Sequence, residues 1–416
     1  MTRLPPRTYS YAARIAFVVE LAEHLHAYGT TAQRLEGAVI GVAQQLGLEC
    51  EPRVSPTGML LSFSDPQCPP GESDTTRVLR MGLGEVDLYK LSEADRLAEE
   101  VLAGTLDLSE GHAERLELAR HRPGCAGMFL HAMGFSLIAM GIAGLWRLPW
   151  LDIVTAAGIG LLVGLLDMVT RNGQRLKEAF EAIAGMLAAA AAIAVASTVG
   201  PLNLNTVMIA SLLVLLPGMA LTNAVNELTS QHLVSGTARF SGAIATVLKL
   251  TVGTMIALTL AQMLGIEPQV RAWRPQPDWV EWVGLVVAAA AFAVLFRARL
   301  RDVPLVMAAA ATGYLISRYA GLAWGASVGL FLAALVVTAA GNGYARWANR
   351  PGAIVRVPGI IMLVPGTASL RGLMTLIQQQ DMAVGQEAMM AVVNIILALI
   401  AGLLFGNLIL PARKNL

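Results

Sequence analysis

The chain is 416 residues long, 55% hydrophobic and 14% charged, with a mean hydropathy of +0.59 and a net charge of +1. A soluble domain carries about a quarter charged residues, so this composition excludes a wholly soluble protein. The near-neutral balance, with no basic cluster, argues against a nucleic-acid partner.

The charge is unevenly placed. Residues 1–125 hold 12 Lys/Arg against 18 Asp/Glu, whereas residues 126–416 hold 18 against 11. The first part reads as an acidic soluble domain and the second as an integral membrane domain. The cysteines Cys50, Cys68 and Cys125 are odd in number and form no Cys/His ligand pattern, so they read as free thiols facing the cytoplasm. Ile15–Val19 is too short for a signal peptide and runs into Glu20, Glu23 and His24.

In the soluble part, residues 8–28 and 30–47 read as amphipathic helices broken at Tyr28-Gly29, with Thr30 or Thr31 as the second cap. Leu48–Val54 and Thr57–Phe63 alternate as strands around a Ser55-Pro56 turn. A Pro-rich loop, Ser64–Ser73, leads to a third strand at Thr76–Met81. Ser92–Ala103 and Ser109–Arg120 read as helices with Ser at each N-cap. The expectation is a small α+β cytoplasmic domain over 1–122. It carries no Walker loop, no catalytic-triad spacing and no metal motif, so neither an enzyme nor a cofactor is expected. His24 and His26, two apart on a helix, point to different faces.

A membrane span needs about 20 apolar residues. Ten segments qualify or nearly do: 126–146, 150–170, 179–199, 204–223, 238–264, 279–297, 303–318, 323–341, 354–376 and 388–410. Shifting the first five by 148 positions brings them close to the last five. The expected fold is therefore an α-helical polytopic membrane protein of ten transmembrane helices. Two five-helix repeats, 123–265 and 266–416, follow the soluble domain. With that domain inside, twelve Lys/Arg fall on the cytoplasmic side and four outside, so both termini are expected in the cytoplasm. Five spans per repeat make the two repeats inverted. The run Ala188–Ala192 and the residues Gly325, Gly329 and Ala333-Ala334 mark two helices built for close packing.

The matched positions carry matched breaks. Pro217-Gly218 and Pro365-Gly366 are 148 positions apart, each inside an apolar stretch. Proline removes a helix hydrogen bond and glycine relaxes the backbone. The freed backbone groups are tolerated in a membrane only beside protein or a wet cavity, and paired interrupted helices mark transporter binding sites. Thr222, Asn223, Asn226 and Glu227 follow the first break; Thr367, Ser369 and Arg371 follow the second. Together they offer donors for a carboxylate and acceptors for an ammonium group. Ionisable groups inside spans are costly and usually functional. Lys249 lies mid-span, open either to holding a carboxylate or to pairing with an acid, and Arg239 and Arg371 are further cations. Glu227 leads the proton-coupling candidates, followed by Asp167 and Asp152 at helix ends. Glu387, Asn394 and His131 are weaker candidates.

Several segments together resemble a known family: Tyr28-Gly29-Thr30-Thr31-Ala32-Gln33-Arg34-Leu35-Glu36, Leu46-Gly47-Leu48, Ser55-Pro56-Thr57-Gly58, Asp167 with Arg171-Asn172, the Pro217-Gly218 helix with Asn226-Glu227, Ser235–Arg239, Pro358-Gly359 and Pro365-Gly366. In order and spacing the chain resembles the bacterial threonine/serine exporter family in its fused two-module form. That resemblance implies proton-driven export of a small polar metabolite across a bacterial inner membrane. Threonine or serine is the first expectation and a dicarboxylate such as succinate the alternative. A reading of another class, a membrane-tethered sensor or enzyme, needs a cluster of catalytic residues in the soluble domain, and none is visible. The position of that domain suggests gating of the cytoplasmic entrance or self-association into a homo-oligomer.

Overall fold

A computed structural model of the chain describes residues 9–69, 74–82, 84–103, 105, 124–170, 173–271, 274–363, 370 and 382–411. The helix expected at 109–120 lies outside these residues.

The N-terminal part is an α+β unit with its own apolar core. Helix α1 (Tyr11–Ala27) starts at Ser10, whose hydroxyl accepts the Ala13 amide. It buries Phe17, Val18, Leu21 and Leu25. Helix α2 (Ala32–Gln45) buries Leu35, Val39 and Val42 against the same core. Strands β1 (Glu49–Ser55), β2 (Gly58–Ser64) and β3 (Thr75–Arg80) form an antiparallel meander in the order β1-β2-β3, with Glu49 opposite Ser64 and Gly58 opposite Arg80. Alternation along β2 turns Met59, Leu61 and Phe63 inward. Arg14, buried on α1, donates to the carbonyls of Leu46 and Gly47 just past the end of α2 and pairs with Asp65 at 2.8 Å. A cation there complements the negative end of the α2 dipole.

Helix α3 (Leu88–Ala103) begins four residues before the expected Ser92. Asp87 starts it instead, its Oδ1 accepting the Lys90 amide at 2.9 Å.

The remainder is helical. Its elements are α4 (Cys125–Leu145), α5 (Trp150–Thr170), α6 (Gln174–Thr198), α7 (Leu204–Ser211), α8 (Gly218–Thr229), α9 (Leu233–Met263), α10 (Asp278–Leu295), α11 (Val303–Trp324), α12 (Ala326–Ala348), α13 (Ala353–Ile361) and α14 (Met382–Ile409). Eight of the described helices are long and apolar enough to cross a membrane, so the chain is a multi-pass membrane protein. Two further helices, α7 and α8, meet at 57° across a single 3₁₀ turn, Leu213–Leu215, the shape of a broken crossing or of a re-entrant loop. Leu216 is extended and Pro217 stands at the N-cap of α8, so the chain leaves the helix where Pro217-Gly218 led one to expect. In the expected 354–376 span, the described part is the nine-residue α13 with Pro358 inside it. Pro365, Gly366, Thr367, Ser369 and Arg371 lie outside the described residues, and so does the second break. The ten-span count is met only in part.

Small residues set the packing. A methyl group at Gly253 on α9 would stand 1.9 Å from the Ala182 carbonyl oxygen of α6, and one at Gly185 would stand 2.4 Å from the Leu250 oxygen. Ala188, Ala189 and Ala192 are fully buried on α6. Likewise, α14 lays Gly402 and Gly406 against the backbone of Phe331 and Leu335 on α12. These contacts are what small side chains permit where lipid offers no hydrophobic drive.

Candidate functional site

A cavity of about 140 Å³ lies where the soluble unit meets the membrane helices. Two helices supply matching stripes. Met219, Thr222, Asn223 and Asn226 line it from α8, and Ala353, Arg356, Val357 and Ile360 line it from α13. Both sets are spaced i, i+3, i+4, i+7, which places each on one helix face. Leu403 and Asn407 of α14 close one side. The soluble unit forms the remaining wall with the α1–α2 turn, Tyr28–Thr31, and with Gln33 and Arg34.

That turn is fixed by Gly29, at φ +84°. A side chain there would be strained and would also crowd the Val86 backbone at 3.1 Å. The Thr222 hydroxyl donates to the Gly218 carbonyl at 3.1 Å and is thus used within α8. Among the described residues, the Asn223 and Asn226 carboxamides have no hydrogen-bond partner, and both are half-buried on the cavity face. Arg34 is half-buried, and its one polar contact among the described residues is Asn342 Oδ1 at 3.5 Å. Burial pulls its guanidinium down to about 10. Asn342 in turn donates to Asn407 Oδ1 at 2.8 Å and to the Leu410 carbonyl at 2.7 Å.

Polar contacts around the cavity hold the soluble unit down. Glu227, fully buried on α8, accepts the Ala32 amide at 3.2 Å, the Ser235 hydroxyl at 2.8 Å and Arg239 Nε at 3.1 Å. Thr31 stands at the expected cap of α2 but makes no capping bond with its side chain. The carboxylate of a membrane helix does that work from 195 positions away. Glu36 accepts the Val54 amide and faces His232 at 3.4 Å. On the other side, Asp87 pairs with Arg297 at 3.1 Å, Glu93 pairs with Arg299, and the Leu88 amide donates to the Phe296 carbonyl. Acids of the soluble unit thus meet arginines of the membrane part, the contact that their opposite net charges favour.

The residues singled out from sequence separate into groups. Pro217 and Gly218 form the break, and Asn223 and Asn226 line the cavity. Glu227 and Arg239 form the clasp on α2. Lys249 is outside the cavity: it is exposed and donates to the Glu178 carbonyl at 2.8 Å, with Glu181 at 3.4 Å. Asp167 faces His131 at 3.6 Å near one end of α4 and α5. Asp152 is fully buried and accepts the Asn203 amide and side chain, at 3.3 and 2.8 Å. Asn394 is exposed on α14. Sequence reasoning missed Arg34, Arg356 and Asn407 as cavity residues. Arg34 lies within the segment that carries the family resemblance, and its i, i+3, i+4 companions on a helix face offered no further signal. Arg356 counted only as a cytoplasmic loop charge.

Two family models match the chain, both described as threonine/serine exporter, over residues 16–261 and 281–409. Among curated proteins, the chain is similar to fungal proteins named pheromone-regulated membrane protein 10. That of Pichia sorbitophila is 24% identical, with 88% of this chain and 38% of the relative covered. That of Candida glabrata is 23% identical, with 91% and 49% covered. The Saccharomyces cerevisiae protein is 24% identical, with 88% and 48% covered. The chain thus spans less than half the length of each of these relatives. No solved structure matches it.

Proposed function

We propose an exporter of small polar amino acids, threonine or serine, on the premise that this chain belongs to the threonine/serine exporter family. The single observation that supports a transport site at a particular place is the cavity beside the helix break. There α8 leaves the break and turns two carboxamides, without a partner among the described residues, toward a space walled on the other side by α13. Interrupted helices beside a polar cavity are how transporters expose backbone dipoles and amides to a solute inside a membrane. In this reading the cavity is the cytoplasmic seat of the substrate, and the soluble unit is its lid.

The scaffold is proposed as two inverted five-helix repeats, over 123–265 and 266–416, after a cytoplasmic domain at 1–122. Packing supports it: α4 lies on α10, α6 on α9, and α12 on α14, and α7 meets α5 and α6 as α13 meets α11 and α12. Both termini are proposed to lie inside on the strength of the Lys/Arg bias, and a bacterial inner membrane is proposed from the family alone.

Transport is proposed to be proton-coupled. We assign the coupling to Asp167 with His131, whose side chains face each other at 3.6 Å. Glu227 is clasped by three donors and is assigned to holding the lid. The test is counterflow in proteoliposomes loaded with labelled threonine, serine or succinate under an imposed pH gradient. Threonine and serine flux that follows the gradient is expected. Flux of succinate alone would favour the dicarboxylate alternative, and flux of none would reject transport.

A further inference from the structure

We infer that Arg34, carried by the soluble unit, and Arg356, carried by α13, together form a seat for the carboxylate of the transported solute. The inference rests on the transport reading above and adds the charged groups that select the solute.

Other arginines at this interface already hold an acid: Arg239 holds Glu227, Arg297 holds Asp87, Arg299 holds Glu93 and Arg350 holds Asp302. Arg34 and Arg356 differ. Both line the cavity, and among the described residues neither pairs with a carboxylate. Arg34 reaches only an uncharged carboxamide oxygen, at the limit of hydrogen-bond distance. A half-buried cation without a counter-charge is expensive to keep, and a bound carboxylate relieves that expense. The guanidinium fork suits a carboxylate better than any other side chain does. A third donor is nearby: the Thr30 hydroxyl is buried and without a partner among the described residues, in the turn that lines the same space. Asp95 is the one acid in the cavity lining among the described residues. The lining thus carries two cations and one anion, an excess that favours a carboxylate solute.

The soluble unit is then part of the binding site and not only a lid over it. When it lifts, it withdraws Arg34 from the carboxylate and weakens the solute's hold. Carboxylates reach such a seat from two chemical sources, an α-amino acid or a dicarboxylate, and the two are distinguished by ligand.

The experiment is equilibrium binding of tritiated L-threonine and of labelled succinate to the purified full chain in detergent, with L-threoninamide, which lacks the carboxylate, as competitor. Arg34→Gln and Arg356→Gln are each expected to weaken binding about tenfold to a hundredfold, the scale of one charge-assisted hydrogen bond. They are also expected to erase the preference for L-threonine over L-threoninamide. Arg34→Lys, which keeps the charge without the fork, should recover part of the loss and guards against a folding artefact. Preferential loss of threonine identifies the amino acid, and preferential loss of succinate the dicarboxylate. Unchanged affinity and unchanged preference in both Gln variants would overturn the inference, and so would failure of both carboxylates to bind the wild type. Binding without flux in proteoliposomes would instead overturn the transport reading and leave the seat standing.

Discussion

The carboxylate of Glu227, buried in membrane helix α8, accepts the backbone amide of Ala32, the first residue of α2 in the soluble unit. One side chain therefore ends an unsatisfied helix donor and ties two parts of the chain together. Arg239 and Ser235 fill its remaining acceptor sites. The break at Pro217 sits ten residues before it, at the other end of the same helix.

Removing this carboxylate should loosen the lid. Glu227→Ala leaves Arg239 half-buried without its partner and the α2 amide uncapped. Breaking a buried pair in this way costs about 3–5 kcal/mol. Hydrogen exchange at residues 30–36 is expected to accelerate strongly in the variant while exchange in α6 and α9 stays slow. Equal protection in variant and wild type would refute the clasp.

The close contact of α6 and α9 gives a steric prediction. Gly253→Ala forces the two backbones apart, because its new methyl would overlap the Ala182 oxygen. Overpacking of this kind costs about 1–3 kcal/mol or more. Gly242→Ala, on the same helix with open space around it, is the control. Melting of the detergent-solubilised protein should fall by several degrees in the first and stay put in the second.

The Arg14–Asp65 pair sets a pH dependence for the soluble unit. Burial pushes the Asp65 carboxyl up, but the hydrogen bonds from Arg14 and the Gln67 amide, with the Arg14 charge, outweigh it and hold the group below its usual value. A carboxyl lowered in the folded state stabilises above its unfolded pKa, about 4, and loses that contribution as pH falls through the folded value. Melting measured from pH 7 down to pH 3 should therefore drop more steeply for wild type than for Asp65→Asn. Parallel curves would remove the pair from the account.

Two cysteines of the soluble unit, Cys50 and Cys68, should differ in reactivity. Burial, with the Glu51 charge adding to it, pushes the Cys50 thiol up to about 12, whereas Cys68 is exposed. Peptide mapping after brief maleimide treatment at neutral pH should find Cys68 modified and Cys50 intact. Rapid labelling of Cys50 would mean that the core of the soluble unit opens readily.

How much of this was legible in the sequence depended on whether the signal was local. The strands around Ser55-Pro56, eight of the ten expected apolar spans and the break at Pro217-Gly218 follow from residue spacing and backbone chemistry, and these appear. The α3 start was misplaced because Asp87, a capping residue, stands before Leu88-Tyr89, and Ser92 was the more conspicuous cap. Asn223 and Asn226 were found because they follow the break. Arg34 and Arg356 were not, because nothing local says that the soluble unit and α13 will line one cavity. Lys249 looked stranded mid-span, yet its long chain reaches the Glu178 carbonyl and Glu181 near the start of α6. Contacts between residues far apart in sequence decided each of these cases.

The most direct measurement is protection of the cavity by its solute. In a cysteine-free background, Asn223→Cys and Asn226→Cys are each treated with a small cationic thiol reagent from the cytoplasmic side, with and without saturating L-threonine. If the cavity is the substrate seat, threonine slows modification at both positions and leaves a cysteine at Asn394, exposed on α14, unaffected. Equal modification rates with and without threonine at 223 and 226 would contradict the account.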